Sequence, residues 1–228
     1  MQLYNPTADE VSVLICAHSK DEAYDALLRR ALDSVLKQTQ LPDQIVLVLD
    51  ECWPGTSKMC SEILGSSGVS YHIEERPKKE GLAAAKNCGL LRCSGGLIMM
   101  LDADDDWMPT KIELQRNFMI QNPTVSACGT LAWDRHPNGD IKPSCFAVGQ
   151  FETHDEIVWA LHYQNVLCHT SMCFREKALS KVRGYNPDPR FLGKEDWELY
   201  IRLIQAGHRL HQLQERLVFH SLGTSVER

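Results

Sequence analysis

Four acids fall within five positions at Asp102-Ala103-Asp104-Asp105-Asp106, directly after the apolar run Leu97-Ile98-Met99-Met100-Leu101. Such a run is the mark of a strand buried on both faces, as in the middle of an α/β sheet. Carboxylates stacked at its end repel one another unless something positive sits among them. Ligands of open α/β sheets bind at the carboxyl ends of strands, where this cluster falls. The pattern therefore predicts a divalent cation. Asp102 and Asp104, two residues apart on extended chain, can serve different ligands: one the sugar ring of a nucleotide, the other the cation. Magnesium or manganese keeps open positions for phosphate oxygens, so a single protein carboxylate suffices when the substrate brings its own diphosphate.

Asp105 and Asp106 read as helix-start acids, since carboxylates ahead of a helix act as caps and dipole partners. A calcium loop is the rival reading, with Asp102, Asp104, Asp106 and Glu113 at its positions 1, 3, 5 and 12. Trp107 stands where that loop needs glycine, and a strand rather than a helix precedes it. Asp50 ends a second apolar run and should share the same sheet edge. It is either a surface acid at a turn or an acceptor for the N3–H of uracil or thymine. Asp196 opens a helix, as an N-cap or as a general base. His220 is either structural or, as a neutral imidazole, a metal ligand.

The elements that must position these groups follow from periodicity. Val11 to Ala17, Gln44 to Leu49 and Val69 to Ile73 read as strands, alternating with helices over about 22–38, Lys58 to Leu64 and Gly81 to Cys93. Strand–helix repeated three times points to a parallel sheet flanked by helices. After Trp107 the rhythm changes. Pro109 opens a helix running to about Asn122. Val125 to Trp133 and Lys142 to Val148 form a hairpin through Asn138-Gly139. Thr153 to Glu156 is a capping box opening a helix through Leu161. A strand is expected at Thr170 to Phe174, and a helix from Glu195 closed by Gly207. Two short strands, His208 to Leu213 and Arg216 to His220, finish the chain. The fold class is α/β, a mixed sheet parallel in its N-terminal half. One domain over 1–228 is expected, with residues about 10–107 as one half and 108–228 as the other.

Composition excludes several classes. A net charge of −6 over 228 residues argues against a nucleic-acid binder. Met1 to Glu10 is polar and unlike a signal peptide, and no apolar run approaches the ~20 residues of a membrane span. Nine cysteines, an odd number without a CxxC pair, read as reduced thiols of a cytoplasmic protein.

Taken in order, the motifs resemble family 2 glycosyltransferases, enzymes of the GT-A fold that use nucleotide-diphosphate sugars. Val11 to Ser19 is similar to the first strand and nucleotide loop. Arg30-Ala31-Leu32-Asp33-Ser34-Val35-Leu36-Lys37-Gln38 matches the family's alanine-leucine-x-serine-valine-leucine-x-glutamine helix. Leu49-Asp50-Glu51 stands at its paired acids, and Gly81 to Gly89 at its glycine…alanine-arginine-asparagine-x-glycine segment. Leu101 to Pro109 matches leucine-aspartate-alanine-aspartate-aspartate…proline. His169 to Arg175 and Gly184-Tyr185 fit the segment before the base, and Glu195 to Leu203 the helix that carries it. The resemblance implies that Asp104 holds Mn2+ or Mg2+ and Asp102 the donor ribose, with Ala103 between them in the donor site. It also implies that Asp50 reads the base, that Ala17, Ser19, Lys86 and Asn87 line the donor site, and that Asp196 is the catalytic base of an inverting transfer.

Three departures stand out. The first loop lacks the usual proline and tyrosine, and Glu51-Cys52 replace an aspartate-glycine-serine tail. Phe219-His220-Ser221-Leu222-Gly223-Thr224-Ser225 resembles tyrosine-arginine-x-histidine-x-x-serine loosely, with His220 favoured over the Leu222 position as the metal ligand. The expected donor leans to UDP or dTDP, and the acceptor is a carbohydrate or lipid-linked sugar in surface-glycan synthesis. Peripheral contact with the inner face of the membrane is compatible with that role. Many relatives continue into a helical region that helps bind acceptor or touch the membrane, so a short member or a trimmed chain is expected. Two other readings compete: a sugar-nucleotide nucleotidyltransferase, and a nucleotide-sugar-binding module that has lost catalysis.

Overall fold

The computed structural model describes residues 8–144 and 151–223. The chain runs β1 (Val11–Ala17), α1 (Glu22–Leu36), β2 (Gln44–Asp50), α2 (Thr56–Gly65), β3 (Ser70–Arg76), α3 (Leu82–Leu90) and β4 (Leu97–Asp102). There follow β5 (Asp106–Trp107), α4 (Lys111–Gln121), β6 (Val125–Arg135), β7 (Ile141–Pro143), α5 (His154–Leu161), β8 (Cys173–Arg175), α6 (Glu176–Lys181), α7 (Glu195–Gln205) and β9 (Arg209–Ser221). Among the described residues these strands make one sheet, ordered β3-β2-β1-β4-β8-β6-β9-β5, with β7 paired to β6. The first four strands are parallel, as their helical crossovers require. β8 joins β4 antiparallel and begins the mixed half.

The apolar runs are buried on both faces, and their alternation shows why. Val13, Ile15, Ile45, Leu47, Met99 and Leu101 pack against α1, α2 and α4 through Leu28, Leu32, Cys60 and Ile112. Leu14, Val46, Val48, Ile98 and Met100 point the other way, onto α3, α5 and α7 through Ala85, Ile157, Leu199 and Leu203. Each fully buried aliphatic side chain contributes about 1.5–3 kcal/mol, so both faces resist a shift in register.

The sheet cannot be flat. Asp102 and Asp106 are four Cα steps apart, at most about 14 Å of extended chain. β5 nevertheless lies four strands away from β4 in sheet order, about 19 Å across a flat sheet. The sheet therefore curls, returning the end of β9 to the end of β4.

Several expectations change. Thr170 to Phe174 is not one strand: a 3-10 turn spans His169–Ser171 and the strand is Cys173–Arg175. The Thr170 and Ser171 hydroxyls accept the N–H groups of Asp102 and Thr130, holding the turn out of the ladder. The last two strands are a single β9. Gln214 and Glu215 bulge, because Leu213 pairs with Thr130 and Arg216 with the next residue, Leu131. β3 runs on to Arg76, and α6 has no counterpart among the expected elements. The hairpin is present, but its second strand is Ile141–Pro143, and residues 145–148 lie outside the described residues.

Gly95 packs directly against the backbone where β1 begins. A Cβ there would stand 2.5 Å from the Glu10 oxygen and 2.7 Å from the Ser12 nitrogen, both backbone atoms. The Gly95→Ala substitution is expected to cost about 1–3 kcal/mol in denaturant unfolding, the usual penalty of overpacking. An unchanged midpoint would contradict this packing.

Candidate active site

β1, β2 and β4 end together, which brings Ala17, Asp50 and Asp102 to one edge. Two cavities open there. The first, about 230 Å³, is lined by Ala17, Ser19, Asp50, Asp102, Ala103, Asp104 and His220 among others. The second, about 520 Å³, is lined by Lys86, Asn165, His169, Asp196 and Trp197. Leu82, Asp102, Glu195 and His220 face both, so the cavities meet at these four side chains.

In the first cavity, Asp50 is nearly inaccessible and stands 3.1 Å from Arg76 Nη1, a charge contact rather than an aligned hydrogen bond. Burial pushes the Asp50 carboxyl up, opposed by the Arg76 charge. A third strand ending at Ile73 would not reach this edge, and it is the extension of β3 to Arg76 that adds the guanidinium. The parallel register sets Arg76 directly beside Asp50. Ser19 lines the cavity with its hydroxyl already donated to Asp25 Oδ1 at 2.6 Å.

Asp102 stands at the junction, 3.4 Å from the ammonium of Lys86 on α3. Burial would raise its carboxyl, but the Lys86 charge and hydrogen bond oppose burial, and the net shift is downward. Asp102 is thus kept ionised at a crowded acidic end. His169 behind it bonds Tyr200 OH through Nδ1 at 2.8 Å and Tyr185 OH through Nε2 at 2.9 Å. Burial pushes this imidazole down to about 3, so it is neutral. Asn87, expected among the donor-site residues, lines neither cavity. Its side-chain amide bonds both the N–H and the carbonyl of Tyr185 at 2.8 Å, so it acts on the site by holding Tyr185.

Asp105 and Asp106 do not start a helix. α4 begins at Lys111 with Thr110 as its N-cap and no side-chain cap bond. Asp105 is buried and accepts the Ser221 N–H at 2.7 Å. Asp106 lies in β5, paired with Arg30 Nε at 2.9 Å and with Arg135. Arg30, from α1, also donates to the Asp104 carbonyl at 2.6 Å and the Ser221 hydroxyl at 2.9 Å. This clamp holds the acidic loop against the end of β9, so that His220 and Asp104 line the same cavity.

His220 pairs in register with Asp134 of β6, and its Nδ1 stands 3.0 Å from Asp134 Oδ1. A carboxylate behind one imidazole nitrogen orients the ring and makes the other a better metal ligand. Asp134 had no signal in the sequence. Among the described residues no three His, Cys, Asp or Glu side chains gather closely enough to hold a metal by themselves. Asp104 and a carboxylate-backed His220 on one cavity wall fit a hard cation that draws its other ligands from a diphosphate.

Asp196 does not cap α7: the N-cap is Lys194. Its Oδ1 accepts the Trp197 N–H and its Oδ2 the Asn165 amide, each at 2.8 Å. Asn165 is itself held by the Leu167 N–H at 3.2 Å. Burial pushes the Asp196 carboxyl up, opposed by Lys86 and then by the two donors. A carboxylate so placed can take a proton from a hydroxyl in the second cavity.

The model of glycosyl transferase family 2 matches residues 12–183, and that of the N-terminal domain of galactosyltransferase matches residues 151–221. The chain is 26% identical over 217 residues to the amylovoran biosynthesis glycosyltransferase AmsE of Erwinia amylovora, covering 94% of this chain and 77% of that one. It is 26% identical over 200 residues to the UDP-Glc:alpha-D-GlcNAc-diphosphoundecaprenol beta-1,3-glucosyltransferase WfaP of Escherichia coli, covering 86% and 71%. Among solved structures, S. aureus TarS 1-349 in complex with UDP superposes with a TM-score of 0.72 at 14% identity over 93% of this chain. The mannosyltransferase PcManGT from Pyrobaculum calidifontis, in complex with GDP-Man and Mn2+, gives 0.67 at 16% identity over 97%. These likenesses establish the fold, a GT-A fold, and this chain spans 60% of each of those solved chains.

The clamp makes a distinguishing prediction. Burial, with Asp104 and then Asp102 nearby, pushes the Asp105 carboxyl well up, towards its neutral form. Asp105→Asn keeps an oxygen for the Ser221 N–H and should cost under about 1 kcal/mol. Asp106→Asn leaves Arg30 and Arg135 facing a neutral amide and should cost about 2 kcal/mol, less than a fully buried pair. Chemical denaturation of both variants measures the difference. Equal losses would contradict the assigned roles.

Proposed function

The chain belongs to glycosyl transferase family 2, and from that premise we propose that it is a metal-dependent inverting glycosyltransferase, moving a sugar from a nucleotide diphosphate to an acceptor hydroxyl. The observation that carries this reading is the meeting of two cavities at Asp102, Glu195 and His220, one with acids suited to a donor and one with a poised base. In this reading Asp50 accepts the N3–H of uracil or thymine, and Arg76 faces the neighbouring base carbonyl. Asp102, kept ionised by Lys86, accepts a ribose hydroxyl. Asp104 and His220 hold Mn2+ or Mg2+, and Asp134 and Arg30 fix their placement. When bound, the cation neutralises the charge that develops on the diphosphate as it leaves. Asp196 takes the acceptor's proton in the second cavity, opposite the departing diphosphate. Asn165 and the Trp197 N–H hold that carboxylate in one orientation.

The donor leaning is to UDP or dTDP. The acceptor is a lipid-linked sugar or growing surface glycan, a reading supported by WfaP, whose name gives a GlcNAc-diphosphoundecaprenol as its acceptor. No helix among the described residues is long and apolar enough to cross a membrane. The proposed place of action is the cytoplasm, at the inner face of the membrane where a lipid-linked acceptor presents its sugar.

Addition of UDP with manganese should raise the thermal unfolding temperature, and Asp104→Asn should weaken that metal-dependent gain. Asp196→Asn should retain the gain and lose transfer by about 10²–10⁴-fold, the scale of general-base catalysis. No stabilisation by any nucleoside diphosphate with metal would overturn the reading. A pH profile tests the base separately. Asp196 must be ionised to act, so kcat/KM should fall as pH drops through its raised pKa. Asn165→Ala removes a donor that favours the ionised form, so the acid limb should move to higher pH. An unmoved limb would remove Asn165 from the mechanism.

A further inference from the structure

Beyond the reacting groups, one exposed feature of the second cavity has no structural use. Tyr163, 72% exposed, lines the cavity that holds Asp196. Trp159, 61% exposed, stands one helical turn earlier with its ring centroid 5.3 Å from that of Tyr163 and the planes inclined at 54°. Phe151 continues the row, 6.3 Å from Trp159. Large aromatic rings left in water next to a cavity mark a binding surface. The cavity wall continues from Tyr163 into the amides of Gln164 and Asn165, and Asn165 is the residue bonded to Asp196. α5 itself is firmly placed, by its capping box and by the Trp197 Nε1–H donated to the Leu161 carbonyl at 2.9 Å.

Charge decides what the platform takes. Residues 151–174 carry Glu152, Asp155 and Glu156 and neither lysine nor arginine. An anionic bilayer surface would be repelled by those carboxylates. A neutral pyranose has what the surface lacks: a face of C–H bonds to lie on an aromatic ring, and hydroxyls at its rim for the Gln164 amide and the Tyr163 phenol.

We propose that Trp159 and Tyr163 form an acceptor subsite for a neutral sugar ring, adjoining the sugar whose hydroxyl is deprotonated by Asp196. The subsite rests on the glycosyl-transfer reading above, and it adds that the acceptor is recognised beyond its reacting unit.

Saturation-transfer NMR on the whole chain tests it, irradiating aromatic protons and observing N,N′-diacetylchitobiose, lactose and mannobiose as probes. The expected result is transfer to the C–H protons of at least one disaccharide. That transfer should fall at least tenfold in Trp159→Ala and Tyr163→Ala and be partly kept in Trp159→Phe. Unchanged melting curves of the variants establish that they fold, as expected for side chains this exposed. Undiminished transfer in the alanine variants overturns the subsite, as does absence of transfer from every disaccharide up to its solubility. Trp159-dependent adsorption to phosphatidylglycerol vesicles, without sugar binding, overturns it in favour of a membrane contact. Wild-type protein stabilised by UDP and manganese but blind to the sugars loses only the subsite. Wild-type protein not stabilised by any nucleotide loses the enzymatic reading itself.

Discussion

The Asp105 carboxyl accepting the Ser221 N–H is the contact on which the site depends. It joins a loop at the middle of the sheet to a strand that arrives more than a hundred residues later. Arg30 seals the same junction by reaching the Asp104 carbonyl, the Asp106 carboxylate and the Ser221 hydroxyl from α1. A three-residue link between β4 and β5 forces the sheet to curl, and the clamp holds the curl shut. Without it, His220 would end a strand on the far side of the sheet from the acids it lines a cavity with. The cost of burying Asp105 among other acids is offset by these donors, and its raised pKa is the residue of that cost.

The electrostatics divide the acidic cluster by neighbour rather than by chain position. Asp102 is drawn down by Lys86, Asp105 is driven up by burial, and Asp106 is neutralised by two arginines. Three of the four clustered carboxylates are thus told apart by their surroundings: Asp102 by Lys86, Asp105 by burial and the Ser221 N–H, Asp106 by Arg30 and Arg135. The same logic applies across the cleft, where burial raises Asp196 and Lys86 limits the rise. Lys86 therefore influences both Asp102 and Asp196 from its place in the lining of the second cavity.

Much of this was legible in the residues. The apolar runs at Val11, Gln44 and Leu97 could only be strands covered on both sides, and the acids that end the second and third, Asp50 and Asp102, marked the edge where the cavities open. The capping box at Thr153 and the Asn138-Gly139 turn were equally plain, because their signals are local. What stayed hidden were partners set by the fold. Arg76 beside Asp50 depends on parallel register, Asp134 behind His220 on a pairing across 86 positions, and Asn165 on Asp196 across 31. Asn87 illustrates the converse: its type suits a donor site, yet helix α3 turns it onto the backbone of Tyr185. The bulge at Gln214-Glu215 reads as a break between two short strands because two polar residues interrupt the pattern, and only the neighbouring strand β6 carries the ladder past them.

The central claim is that one carboxylate base in the second cavity acts in line with a diphosphate leaving from the first. Its stereochemical consequence is direct. Proton NMR of the product formed from an α-linked nucleotide sugar should show a β-anomeric linkage, because a single displacement inverts the reacting carbon. An α-linked product would contradict the account, since it requires a second nucleophile or a front-face route that this pairing of Asp196 with the donor cavity does not provide.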